Sequence, residues 1–228
     1  MADPRIPGIR ACVFDAYGTL FDVHSAVARL RDQVGPKAAE VSDTWRVKQL
    51  EYTWLRALMG RHVDFWQVTS DGLDYALEAH GVEAGVVRAP LLEAYRTLDA
   101  YPEVPEVLRR LRDRGFRTAI LSNGEPGMLA SAAASAGIDG LLDMVLSVEE
   151  VGIYKPAPQV YRLAVERLGV GPEAIAFQSS NAWDAHGAAV FGFRTVWINR
   201  RKLPGERLPG ERAAMLEDLR GLPALLGA

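Results

Sequence analysis

Asp15 ends the apolar run from Ile9 to Phe14 and is followed closely by Gly18 and Thr19. A carboxylate at the end of a buried strand is a competent nucleophile when a cation and hydrogen-bond donors keep it charged and aimed. Asp is equally common as a turn former, and Thr19 could either orient the carboxylate or cap a helix. Three further polar groups follow later apolar runs: Ser122-Asn123, Lys155, and Ser179 to Asp184. They offer hydroxyls, amides, an ammonium and a second carboxylate. Any one of them alone could be a cap or a turn. Their common placement is the sharper signal, because parallel α/β sheets bind ligands outside the carboxyl ends of their strands.

The elements that must carry these groups can be read from periodicity. Ile9 to Phe14 reads as a buried strand. From about Ser25 to Ala100 the pattern is helical: Trp54, Leu55, Leu58 and Met59 recur at i, i+1, i+4 and i+5, without β-type alternation. From Tyr101 the chain alternates. It reads as a helix from Pro105 to Arg114, a strand from Arg117 to Leu121, a helix after Pro126, a strand from Met144 to Ser147 and a helix from Ala157 to Leu168. A strand from Ala174 to Phe177 and a last parallel strand from Thr195 to Ile198 follow. Gly115, Gly137 and Gly169 stand where helices should stop. Such alternation implies right-handed crossovers and a doubly wound parallel sheet. The expected fold class is therefore α/β, with a Rossmann-like core of residues 1–22 and 101–228 and an inserted helical cap at 23–100. No internal repeat or low-complexity segment interrupts it.

Composition narrows the function classes. With 49% hydrophobic residues, the 228-residue chain can bury one sizeable core. Lys+Arg 26 against Asp+Glu 29 gives a net charge of −3 and no long run of either sign, so neither a nucleic-acid nor a membrane surface is expected. The densest basic cluster, Arg200-Arg201-Lys202, lies in a Gly/Pro-rich stretch and reads as a solvated loop. The single Cys12 has no intrachain partner and sits in a strand core, which fits an inert thiol in a reducing cytoplasm. No apolar stretch reaches the ~18 residues that span a bilayer, and the N-terminus lacks a signal-peptide layout. A cytoplasmic protein is expected.

The segment Phe14-Asp15-Ala16-Tyr17-Gly18-Thr19-Leu20 has the form of the first motif of the haloacid dehalogenase superfamily. Four further segments narrow the likeness: Trp45-Arg46-x-Lys48-Gln49-Leu50-Glu51-Tyr52-Thr53-Trp54-Leu55-Arg56, Ile120-Leu121-Ser122-Asn123-Gly124, Tyr154-Lys155-Pro156 and Ser179-Ser180-Asn181-Ala182-Trp183-Asp184. With them the chain closely resembles the L-2-haloacid dehalogenases, in order from about Ile9 to Asn199.

The resemblance implies a role for each matching residue. Asp15 would be the nucleophile, oriented by Thr19. Lys155 would balance the charge of Asp15, substrate and ester, with Tyr161, Ser179 and Asn181 holding that lysine and a water. Asp184 would stand near the attacking water. Arg46 and Asn123 would receive the halide, a fixed positive charge and an amide donor aimed at charge that develops in the transition state. Ser122 and the backbone N–H groups after Asp15, from Ala16 onward, would grip the substrate carboxylate. Tyr17, Leu50, Phe65 and Trp183 would form the apolar wall. The partners implied are a small 2-halocarboxylic acid, halide and, as in relatives, a second copy of the chain. For that homodimer, Trp54, Leu58 and Met59 could form the contact stripe, or they could pack inside the cap.

Two departures from the wider superfamily set the chemistry. Its phosphatases carry an acid two residues after the nucleophile, where this chain has Tyr17. Their last motif supplies a metal-binding carboxylate where this chain has Ser180. A hard cation wants several oxygen ligands, usually with carboxylates among them, so no metal and no other cofactor are expected. A halide needs no proton to leave. The expected reaction is attack of Asp15 on C2 of an L-2-haloacid with inversion, then hydrolysis of the resulting ester to a D-2-hydroxy acid. A phosphatase or phosphomutase of the same superfamily is the first rival; a catalytically silent binding module is the second.

Overall fold

The computed structural model describes residues 5–227, so residues 1–4 and 228 of the expected core lie outside them. Its centre is β1 (Ala11–Phe14), all four residues of which are fully buried. A strand covered on both faces has to be apolar throughout, and Ala-Cys-Val-Phe satisfies this. Burial also raises the Cys12 thiol far above its ordinary range, which keeps it an unreactive core group. Around β1 run β2 (Arg117–Ser122), β3 (Met144–Ser147), β4 (Ile175–Ser179), β5 (Arg194–Ile198) and β6 (Ala214–Leu216). All pair in parallel, in the order β3-β2-β1-β4-β5-β6. The strand order reverses at β1, which is flanked by both β2 and β4. A crevice opens at such a switch point, beyond the carboxyl ends.

Helices α1 (Ser25–Arg29), α2 (Arg31–Val34), α3 (Ala38–Met59), α4 (Phe65–Ala79) and α5 (Ala84–Arg96) are inserted between β1 and β2. The later crossovers use α6 (Val104–Asp113), α7 (Pro126–Ser135), α8 (Pro158–Leu168) and α9 (Ala182–Phe191), and the short α10 (Leu222–Leu225) closes the fold. In α6 the buried residues Val104, Val107, Leu108 and Leu111 give the i, i+3, i+4, i+7 stripe of a helix laid on a sheet. α8 begins with Pro158 and stops at Gly169, whose φ of 63° lets the chain leave the helix.

Four expectations need correction. Thr195 to Ile198 is not the last strand, because β6 adds an edge beyond it. β2 and β4 run through Ser122 and Ser179: the ladder continues at Ser122↔Ser147 and Ser179↔Trp197, so both serines sit on rigid strand. Arg200 is not a solvated loop residue. It pairs with Glu103 at 2.7 Å, donates to the Thr19 carbonyl at 2.8 Å and lies 3.6 Å from the Tyr101 ring centroid. Finally, of the two readings of the Trp54, Leu58 and Met59 stripe, packing inside the cap fails for Leu58 and Met59. Leu58 and Met59 are 86% and 64% exposed, whereas α3 buries Ala38, Val41, Ser42, Trp45, Gln49 and Thr53. Of these, Trp45 and Gln49 pack on α4 where Gly72 leaves room: a Cβ there would meet the Gln49 backbone nitrogen at 3.2 Å and the Trp45 ring at 3.4 Å.

Candidate active site

The turn after β1 folds back on itself: the Ala16 carbonyl accepts from the N–H groups of Thr19, Leu20 and Phe21. That places Thr19 under Asp15. Within the described residues, Ala16 and Tyr17 donate no hydrogen bond from their own N–H groups.

Asp15 is buried and meets only donors. Its Oδ1 accepts from Lys155 Nζ at 3.1 Å; its Oδ2 accepts from Thr19 Oγ1 at 3.1 Å, Asn181 Nδ2 at 2.8 Å and Ser179 Oγ at the limit of 3.5 Å. Thr19 Oγ1 in turn accepts the Ser180 N–H at 2.8 Å, stitching the β1 turn to the end of β4.

Lys155 lies between two carboxylates. Its second acceptor is Asp184 Oδ2 at 2.9 Å, and its ammonium stands 4.9 Å from the Phe177 ring centroid. Burial alone would lower the lysine pKa, but Asp15 and Asp184 together outweigh it and the group is raised. Asp184, fully buried in the first turn of α9, is shifted up by burial and by the neighbouring Asp15, against the pull of Lys155. Its Oδ1 accepts from Tyr161 Oη at 2.8 Å.

Tyr161, Ser179 and Asn181 therefore do not hold the lysine itself, as the resemblance implied. The ammonium is taken up by the two carboxylates; Tyr161 braces Asp184, while Ser179 and Asn181 reach Asp15. Asn181 meets Asp184 only through the helix turn, by the Asp184 N–H on the Asn181 carbonyl.

From β2, Ser122 Oγ accepts the Gly124 N–H at 3.0 Å. Asn123 Oδ1 accepts the Lys155 N–H at 3.0 Å, leaving its Nδ2 without a partner among the described residues.

The insert brings Arg46 over this floor. Its Nη2 donates to the Tyr17 carbonyl at 2.9 Å and to Asn181 Oδ1 at 3.2 Å, one residue away from Asp15; its Nη1 donates to Gln49 Oε1 at 2.8 Å.

The expected apolar wall divides in two. Tyr17 and Phe65 are buried together with Tyr95, their ring centroids 5.5 and 5.7 Å from that of Tyr17. Gly124 makes room for Tyr17, since a Cβ there would stand 2.7 Å from its ring. Leu50 and Trp183 instead line a cleft of about 470 Å³ that Arg46, Gly18 and Asn181 also reach. The Tyr17 phenol, placed where the superfamily phosphatases carry an acid, is pushed well above its ordinary range, chiefly by burial. It is a poor proton donor at neutral pH.

Sequence reasoning missed Gln49, Tyr95 and Ser180 as parts of the site. Ser180 was noted only for the carboxylate it lacks. Gln49 stands inside a quoted motif, but a glutamine on a helix ordinarily reads as solvated. Among the described residues no three His, Cys, Asp or Glu side chains converge to hold a metal ion.

Residues 9–192 match the haloacid dehalogenase-like hydrolase family. (S)-2-haloacid dehalogenase 1 of Pseudomonas sp. (strain CBS-3) is 49% identical over 96% of each chain. (S)-2-haloacid dehalogenase 4A of Burkholderia cepacia is 48% identical over 88% of this chain and 87% of its own. The structure of L-2-haloacid dehalogenase from Xanthobacter autotrophicus with chloropropionic acid covalently bound superposes with a TM-score of 0.88 at 36% identity, covering 96% of this chain and 99% of that one. With its motifs, its sheet order and its relatives in agreement, the chain belongs to the L-2-haloacid dehalogenase family of the haloacid dehalogenase-like hydrolases.

Proposed function

We propose that this protein hydrolyses L-2-haloacids to D-2-hydroxy acids through an ester on Asp15. The observation that carries the reading is the surroundings of Asp15: a buried carboxylate with an ammonium on one oxygen and donors on the other. These partners keep Asp15 ionised and fix its direction, as a nucleophile requires.

In the first step an Asp15 oxygen attacks C2 in line. The carbon inverts and the C2–halogen electron pair leaves as halide toward Arg46 and the free amide of Asn123. The unbonded N–H groups of Ala16 and Tyr17, with Ser122, suit the substrate carboxylate. In the second step Asp184, with its raised pKa, takes a proton from the water that attacks the ester carbonyl; the bond between the Asp15 carbonyl carbon and the ester oxygen breaks, the C2–O bond stays intact, and the proton passes to the departing alkoxide to give the hydroxy acid. Lys155 balances the negative charge in both steps.

The Ser180 hydroxyl in place of a carboxylate is a weak ligand for a hard cation, and a halide leaving group requires no acid at Tyr17. The chain's own residues therefore supply the whole reaction. We assign residues 1–22 and 101–228 to the catalytic core and 23–100 to a cap that carries Arg46. A homodimer through the Trp54, Leu58 and Met59 stripe, of which Leu58 and Met59 are exposed, and a cytoplasmic location complete the proposal; no described helix is long and apolar enough to cross a membrane.

Incubation with each enantiomer of 2-chloropropionate tests the reading. Chloride and a D-hydroxy acid from the L substrate alone are expected. Release from neither enantiomer would overturn it.

A further inference from the structure

We infer that Gln49 is a positioning residue that fixes the Arg46 guanidinium for halide expulsion, and that it sets how well the enzyme handles poor leaving groups. The inference rests on the reading above.

Gln49 lies one helical turn after Arg46 on α3 and is 1% exposed. A buried amide is tolerated only when its polar atoms are paired, and here each one is. Oε1 accepts from Arg46 Nη1 at 2.8 Å and from Tyr95 Oη at 3.1 Å; Nε2 donates to Thr69 Oγ1 at 2.7 Å and contacts Tyr95 Oη at 3.0 Å. The orientation of the amide is forced from both ends. Thr69 spends its hydroxyl proton on the Phe65 carbonyl at 2.7 Å, so toward Gln49 it can only accept. Arg46 can only donate. Oε1 must therefore face the guanidinium.

The network also spans three helices of the insert, with Gln49 on α3, Thr69 on α4 and Tyr95 on α5. The Trp45 indole ties α3 to α4 again, donating to the Thr69 carbonyl at 2.8 Å. One neutral amide thus hands the rigidity of a packed three-helix unit to a long, flexible side chain. No carboxylate is used for this, which leaves the Arg46 charge uncancelled. The benefit of a well-placed cation rises with the charge the leaving atom must carry in the transition state. It should be larger for chloride than for iodide.

The test measures single-turnover halide release from L-2-chloropropionate and L-2-iodopropionate. The proteins compared are the wild type, Gln49→Met, Tyr95→Phe, Arg46→Lys and the two double variants with Arg46→Lys. Gln49→Met should lower the chloride-to-iodide rate ratio by about tenfold, as misplacement of a catalytic group does. Tyr95→Phe keeps the ring packing and removes one bond to the amide, so it should lower the ratio in the same direction by less. It carries the test if Gln49→Met does not fold. In the Arg46→Lys background neither substitution should change the ratio further, because the effect passes through Arg46. An unchanged ratio in the single variants, or an equal fall in both backgrounds, would overturn the inference. A wild type that releases neither halide would instead overturn the proposed function.

Discussion

The two halves of the site hold their cations by opposite means. On the core side Lys155, 1% exposed, is clamped between the carboxylates of Asp15 and Asp184 at 3.1 and 2.9 Å. On the insert side Arg46 is held by neutral acceptors: the Gln49 amide, the Tyr17 carbonyl and the Asn181 amide. No ion pair to Arg46 occurs among the described residues. A cation already neutralised by two carboxylates serves chiefly to hold them in place. One fixed by uncharged groups keeps its attraction for an incoming anion. Charge and position are separated: the core commits its ammonium to Asp15 and Asp184, whereas the insert leaves its guanidinium uncancelled, and in the proposed reaction that charge faces the leaving halide.

The strongest way to break that division is at the nucleophile. Asp15→Asn should lower halide release on the order of 10⁴-fold, because the amide cannot attack C2. Retention of more than about a tenth of the wild-type rate would transfer the nucleophile's role elsewhere.

Stability separates the two cations. Lys155→Met leaves Asp15 and Asp184 as buried like charges, which should cost ~3–5 kcal/mol. Thermal unfolding should then show a midpoint lowered by roughly 10 °C. Arg46→Lys should leave the midpoint nearly unchanged and slow turnover of chloro substrates by more than about tenfold, since the ammonium lacks the planar fork. Equal losses of stability in the two variants would erase the distinction.

The pH dependence should follow Asp184. Burial raises its carboxyl, so protonation begins at a higher pH than for an ordinary carboxylate of about 4. Only the charged form can take a proton from water. Lowering the pH should therefore slow ester hydrolysis before it slows halide release, and intact-protein mass should show the Asp15 adduct building up. Loss of both steps together would assign the titration elsewhere. The smallest expected effect is that of chelation: halide release should be the same in EDTA, and a loss restored by Mg²⁺ would contradict the metal-free reading.

Why some of this was legible in the sequence and some not has a physical basis. β1 and α6 are legible because burial on both faces of a strand, or on one helical face, imposes a pattern. Asp15, Lys155 and Asp184 were legible because unrelated strands all end in polar groups at one edge. That Tyr161 reaches Lys155 through Asp184, and Ser179 and Asn181 through Asp15, is not legible in the string: which side chain touches an ammonium depends on side-chain geometry rather than on spacing. Gln49 and Tyr95 were invisible because a buried amide and a solvated one look alike in a string, and their pairing joins positions 46 residues apart. Arg200 was misread for the same reason, since its partner Glu103 belongs to a distant segment. β6, three residues at the sheet edge after a loop, carries too short a pattern to stand out.

The proposed reaction depends on Asp15 attacking carbon, and the position of solvent oxygen tests that directly. A general-base route would have Asp15 or Asp184 activate water for attack on C2. Both routes can invert the carbon, so product chirality does not separate them. One turnover of L-2-chloropropionate in ¹⁸O-water, with excess enzyme, does. The ester route places ¹⁸O in the Asp15 carboxylate and releases a hydroxy acid carrying unlabelled oxygen from the protein. Asp184→Asn should in addition trap the adduct as added mass, and Asp15→Asn should abolish it. ¹⁸O in the hydroxy acid of that first turnover, with none in Asp15, would contradict the account.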